Sequence, residues 1–80
     1  MTVNELGGKL REMYEGKGSN KTAMIHLFGI IYGAEMKKKG IKPIEVIKAA
    51  QMPESYATEI YKGIHLAQYV ALREEYAGRF

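Results

Sequence analysis

The sequence predicts an all-α fold: a compact domain of four helices with no strands. Three observations carry this. Apolar residues recur at helical spacing in four separate segments, and no segment alternates with a period of two. Glycines, prolines and capping residues fall between those segments. A chain of 80 residues makes one domain, residues 1–80, and no repeat or low-complexity stretch divides it.

The first helix starts after Thr2. "TVNE" is a capping box, in which the Thr2 hydroxyl accepts an orphan amide and Glu5 reaches back. Val3, Leu6, Leu10, Met13 and Tyr14 then share a face. Gly7 and Gly8 each weaken the helix by up to about 1 kcal/mol relative to alanine, and are expected either to admit a close neighbour or to fray the start. "EGKGSN" is a loop, with Ser19 or Asn20 capping the next helix.

The second helix is expected from about Lys21 to Lys38. Met24, Leu27, Phe28, Ile31 and Ala34 form one face, and Ile25, Ile30 and Tyr32 extend the apolar surface around it. A helix apolar on nearly every side is buried on several sides, so this one is the central helix or a dimer seam. Gly29 and Gly33, four apart, would let another backbone come close and are interface candidates. "KKKG" ends the helix: cations suit its C-terminus and Gly40 suits a left-handed C′ position. Pro43 opens the third helix at N1, whose apolar set is Ile44, Val46, Ile47 and Ala50. "QMP" turns the chain. The fourth helix is expected from about Glu54 to Tyr76, with a buried stripe of Tyr56, Ala57, Ile60, Ile64, Ala67, Val70 and Ala71.

So short a chain buries only about 60% of its unfolded surface, and without cysteine no disulfide reinforces it. A homodimer is therefore expected. Tyr61, Tyr69 and Tyr76 recur every seven to eight residues and are the other interface candidates, for a second copy or a protein partner. The first ten residues lack a basic stretch followed by an apolar run, so no signal peptide is expected. "AMIHLFGIIYGAEM" is too short to span a bilayer. A cytoplasmic protein without a membrane segment is the expectation.

The chemistry for catalysis is sparse. There is no Cys and no Asp, and His26 and His65 lack a second ligand at helical spacing. His26 is expected at the edge of the central helix and His65 in solvent. "GKGSNKT" lacks the glycine before Lys-Thr, the preceding strand and the aspartate of a nucleotide-hydrolysing loop. No enzyme, metal or cofactor is expected. Lys17 and Lys21 near a helix start could still hold one phosphate.

Charge points to a polyanion. The net charge is +3. Residues 1–52 carry nine Lys/Arg against five Glu, and residues 53–80 carry three against four. Lys37, Lys38, Lys39 and Lys42 cluster at one helix junction. They read as phosphate contacts or as favourable cations at a helix end.

The segment "VIKAAQMPESYATEI" resembles the helix-turn-helix of small bacterial and phage repressors, over residues 43–63. Val46 and Ala50 occupy the apolar and small places late in the first helix of that unit. Met52 takes the apolar place at the turn, and Ala57 and Ile60 pin the second helix from inside. The third and fourth helices would then form the helix-turn-helix-like pair. Two residues depart from the pattern. Gln51 stands where a glycine supplies a positive φ, and Ile47 stands where alanine lets the two helices touch. The resemblance implies a small regulator that binds duplex DNA. Glu54, Ser55, Tyr56 and Glu59 would face base edges, and Lys17, Lys21, Lys37, Lys38, Lys39, Lys42, Lys48 and Lys62 would meet phosphates. The acidic start of the fourth helix is unusual for that role. It motivates the alternative, a protein-interaction module, adaptor or inhibitor, that uses the same shape without DNA.

Overall fold

The computed structural model describes residues 1–80 and contains four α-helices and no strand. Helix α1 spans Val3–Tyr14, α2 Lys21–Lys39, α3 Pro43–Ala49 and α4 Ala57–Leu66, with a 3₁₀ turn at Glu54–Tyr56 leading into α4. The caps explain the boundaries. Thr2 Oγ1 accepts from the Glu5 amide at 3.1 Å while Glu5 accepts from the Thr2 amide at 2.8 Å. Of the two residues considered for the next cap, Asn20 does the work, its Oδ1 accepting from the Ala23 amide at 2.9 Å. Pro43 is the first residue of α3.

Helices α2 and α3 end in the same way. At the end of α2, Gly40 is left-handed at φ 68°, its amide donates to Lys37 and the Ile41 amide donates to Met36. At the end of α3, Gln51 is left-handed at φ 58°, its amide donates to Lys48 and the Met52 amide donates to Ile47. This is the Schellman pattern twice, once with glycine and once with glutamine at C′. In each case the residue after C′ packs on the apolar side chain five positions earlier: Ile41 near Met36, and Met52 in one core with Ile47. The glutamine therefore does not alter the turn. It occupies the conformation a glycine would have taken, at a cost of roughly 1 kcal/mol. Gln51→Gly is expected to raise stability by about 0.5–1 kcal/mol in urea unfolding, whereas Gln51→Val, β-branched at positive φ, lowers it.

The core holds Leu6, Leu10 and Met13 from α1, Ile25, Phe28 and Met36 from α2, Val46, Ile47 and Ala50 from α3 and its end, Met52 from the turn and Ile60 from α4. Helix α2 is the central element, packed on α1 and α4. Its inner face differs from the expected one: Ile25, Phe28, Gly29, Gly33 and Met36 are buried, while Ala34 is exposed. A helix apolar all round carries no direction in its pattern; here the glycines set it. Alpha-carbon contact at Gly29 and Gly63 brings α2 and α4 together. A Cβ on Gly29 would overlap the Ile60 carbonyl oxygen, and one on Gly63 would overlap that of His26. The close approach expected at Gly29 and Gly33 is thus made inside the chain by α4. Gly7 plays the same part for α1, since a Cβ there would lie 2.7 Å from the Ala49 Cβ; beside Gly8 nothing lies within 4 Å.

The fourth helix is much shorter than the expected span of 54 to 76. It opens as a 3₁₀ turn and ends at Leu66. Ala67, Val70 and Ala71, assigned to a buried stripe, are exposed. Residues 67–71 are all exposed, so no buried contact supports a longer helix, and propensity alone does not hold a short helix in water. The chain tightens instead, the Tyr69 amide donating to Leu66 at 2.8 Å. It then folds back, so that Phe80 packs against the core and its carbonyl accepts from the Tyr32 hydroxyl.

Candidate nucleic-acid interface

The turn after α3 sets the direction of the segment that follows, and α1 holds that turn in place. The Arg11 guanidinium donates through Nη1 to the Ala50 carbonyl at 2.8 Å and to the Gln51 carbonyl at 3.2 Å. These are carbonyls at a helix end, which have no intrahelical partner. Sequence reasoning missed Arg11 because its partners lie 39 and 40 residues away.

The outward surface after the turn consists of Glu54, Ser55, Thr58, Tyr61, Lys62 and His65, all exposed. From Ser55 on, these residues recur every three or four positions along one side. Of the four expected base-facing residues, only Glu54 and Ser55 stand free. Tyr56 is half-buried against Tyr14, with ring centroids 6.0 Å apart. Glu59 turns inward to α2, where it accepts from His26 Nε2 at 2.7 Å, and Lys62 Nζ holds its other oxygen at 3.1 Å. Thr58 takes the outward place instead. The cause is the phase of α4 itself. At about 100° per residue, Thr58 lies roughly 160° around the helix from the buried Ile60 and Glu59 only about 100° from it.

The His26 and Lys62 hydrogen bonds hold the Glu59 carboxyl below its ordinary value of 4.5. A carboxylate lowered on folding contributes stability fully above that ordinary value and loses it as pH falls through the folded value. Acid unfolding of the protein is therefore expected to begin at higher pH than that of Glu59→Gln relative to each one's stability at neutral pH. The Tm difference between the two narrows as pH drops below about 4.5. A constant difference across that range would remove Glu59 from the α2–α4 junction.

The lysines named from the sequence do not form one patch. Lys21 lies against the end of α1, its Nζ 4.8 Å above the Tyr14 ring and donating to the Tyr14 carbonyl at 3.0 Å. Lys17 stands apart, in a depression shared with Arg79 and Phe80 of the folded-back tail. Lys39 reaches α1's start and donates to the Met1 carbonyl at 3.2 Å. Lys37 and Lys42 flank Tyr61 across a groove. Lys38 and Lys48 are exposed without an acidic partner. The tyrosines likewise do not form a helical stripe: Tyr61 is on α4, but Tyr69 and Tyr76 lie beyond its end. Tyr69 is 82% exposed, and Tyr76 sits under the Arg79 guanidinium at 5.5 Å. No helix is long and apolar enough to cross a membrane.

Comparison of the chain with curated proteins and with solved structures finds no match. A family model described as an HTH-like domain matches residues 2–73. That span takes in all four helices, far more than the residues from 43 to 63 that carry the sequence resemblance. The turn with its left-handed Gln51, the inward Ala57 and Ile60, and this match agree: the chain belongs to the HTH-like domain family.

Proposed function

We propose that the protein binds duplex DNA, laying the outward side of the 3₁₀ turn and α4 into a groove and setting lysines of α2 and α3 on the phosphates. The observation that carries this is the outward row of Ser55, Thr58, Lys62 and His65 on the helix that follows the turn. Serine and threonine hydroxyls serve several bases, and lysine serves guanine or a phosphate. The acidity of α4, which speaks against DNA in the sequence, is largely answered within the protein: Glu59 is tied to His26 and Lys62. Glu54 alone remains a free acid at the start of that surface. Lys42 and Lys48, at the two ends of α3, serve as phosphate contacts in this reading, and neither is held by a carboxylate. A regulatory role follows from binding DNA at chosen sites. His26 and Glu59 serve in this reading as the tie between α2 and α4.

The test is fluorescence anisotropy with a mixed-sequence duplex between about 50 and about 200 mM salt. Affinity should fall steeply, by roughly 0.9 log units per log salt for each phosphate neutralised. Absence of binding at the lowest salt would end the proposal.

A second reading, a protein-interaction module, is favoured by Leu66, Tyr69 and Val70, which are 42%, 82% and 47% exposed around the end of α4. Apolar side chains grouped on a surface mark contact sites more often than scattered ones do.

A further inference from the structure

The junction of α2, α3 and α4 holds a groove of about 360 Å³. Its floor is apolar, made by Gly33, Ile41, Pro43 and Ile64, and Tyr61 forms a lip that is 46% exposed. Gly33 keeps the floor in place, since a Cβ there would lie 2.8 Å from Ile64 Cγ1 and push it outward. Lys37 and Lys42 stand on the rim, both exposed and neither paired with a carboxylate. The nearest acids along the chain are turned elsewhere. Glu35 holds the amino terminus at 2.6 Å, and Glu45 accepts from the Lys42 backbone amide at 3.0 Å. The rim is thus positive by two charges with nothing in the molecule to answer them.

A sugar-phosphate backbone would use the two cations and leave the apolar floor empty. A ligand that satisfies both parts carries carboxylates on either side of an apolar group. We propose that this groove docks an acidic peptide segment of a partner protein, with its carboxylates on Lys37 and Lys42 and one apolar side chain on the floor against Tyr61. Binding of acidic segments by clustered cations and of apolar anchors by helix-lined grooves are both recurrent modes of recognition. The inference stands apart from DNA binding. The two meet at Lys42, so a peptide seated here covers one proposed phosphate contact and competes with the duplex.

The test uses the full chain and a short fluorescein-labelled peptide of glutamates around one phenylalanine. Anisotropy should show binding, and NMR shifts should centre on the amides of Gly33, Gly40, Ile41 and Ile64. Replacing the glutamates by glutamines, or the phenylalanine by alanine, should each weaken binding about tenfold. The exposed double variant Lys37→Glu, Lys42→Glu should lose as much while keeping its circular dichroism. No binding, equal binding of the control peptides, or shifts confined to another face would overturn the proposal. So would dodecanoate shifting the same amides when the peptide does not, which would assign the groove to a fatty anion. Because duplex DNA is absent from this experiment, its failure leaves the DNA reading untouched, and the reverse holds too.

Discussion

Gly63→Ala should lower the melting temperature by about 15 °C or more, while Gly8→Ala should raise it by a few degrees. Both exchanges add one methyl group to a helix, and in an isolated helix both would gain roughly 1 kcal/mol of propensity. What separates them is the space. The methyl of Gly8→Ala enters water, with no atom within 4 Å. The methyl of Gly63→Ala would overlap the His26 carbonyl oxygen and lie 2.9 Å from its carbonyl carbon. Those are backbone atoms inside α2, hydrogen-bonded along the helix and unable to swing aside as a side chain would. Relief requires α2 and α4 to move apart, which opens the contact at Gly29, unseats Ile60 and stretches the His26–Glu59 hydrogen bond. Overpacking of this kind costs about 3 kcal/mol. A domain of this size has a total stability of only about 4–12 kcal/mol, and each kilocalorie is worth roughly 4–8 °C. Gly29→Ala, from the other side of the same contact, should behave alike. A Gly63→Ala variant that melts with the parent would mean that the two backbones are not in contact.

The same glycines show what could be learned before the structure. The helix starts and stops were legible because they are local: Thr2 with Glu5, Asn20, Gly40 and Pro43 each act within a few residues. The small residues at 29 and 33 were legible as a close approach, but not the identity of the neighbour, because Gly63 is 34 positions beyond Gly29 and nothing local pairs them. The left-handed turn at Gln51 ran against residue preference and was set by the Met52–Ile47 contact and by Arg11. At the candidate interface, the fault was one of phase. Within α4, Thr58 stands opposite the buried Ile60, whereas Glu59 lies to one side of it, within reach of His26. The length of α4 failed for another reason. Ala67, Val70 and Ala71 keep helical spacing, yet spacing alone does not bury a stripe, and all three stand exposed.

Reversing Lys42 and Lys48 together should weaken duplex binding by about a hundredfold, taking each lost phosphate contact as roughly tenfold. It should also flatten the salt dependence by about two phosphate contacts, or roughly 1.8 log units per log salt. The variant Lys42→Glu, Lys48→Glu is well suited to the question because both side chains are exposed and neither holds a carboxylate. A glutamate at position 42 also suits the start of α3, where the helix dipole favours a negative charge. Each reversal removes two units, so the net charge of +3 becomes −1. That change alone would weaken binding to any polyanion, so a second variant is needed with the same net charge. Arg73→Glu, Arg79→Glu supplies it, since both arginines lie in the tail beyond α4. Should the tail variant bind nearly as the parent does while the α3 variant fails, the contact is local and α3 carries it. Equal losses would mean that overall charge, not the helix pair, attracts the duplex. No loss in either would remove α3 from the interface, and Lys21 at the start of α2 and Lys62 on α4 would be the next cations to test.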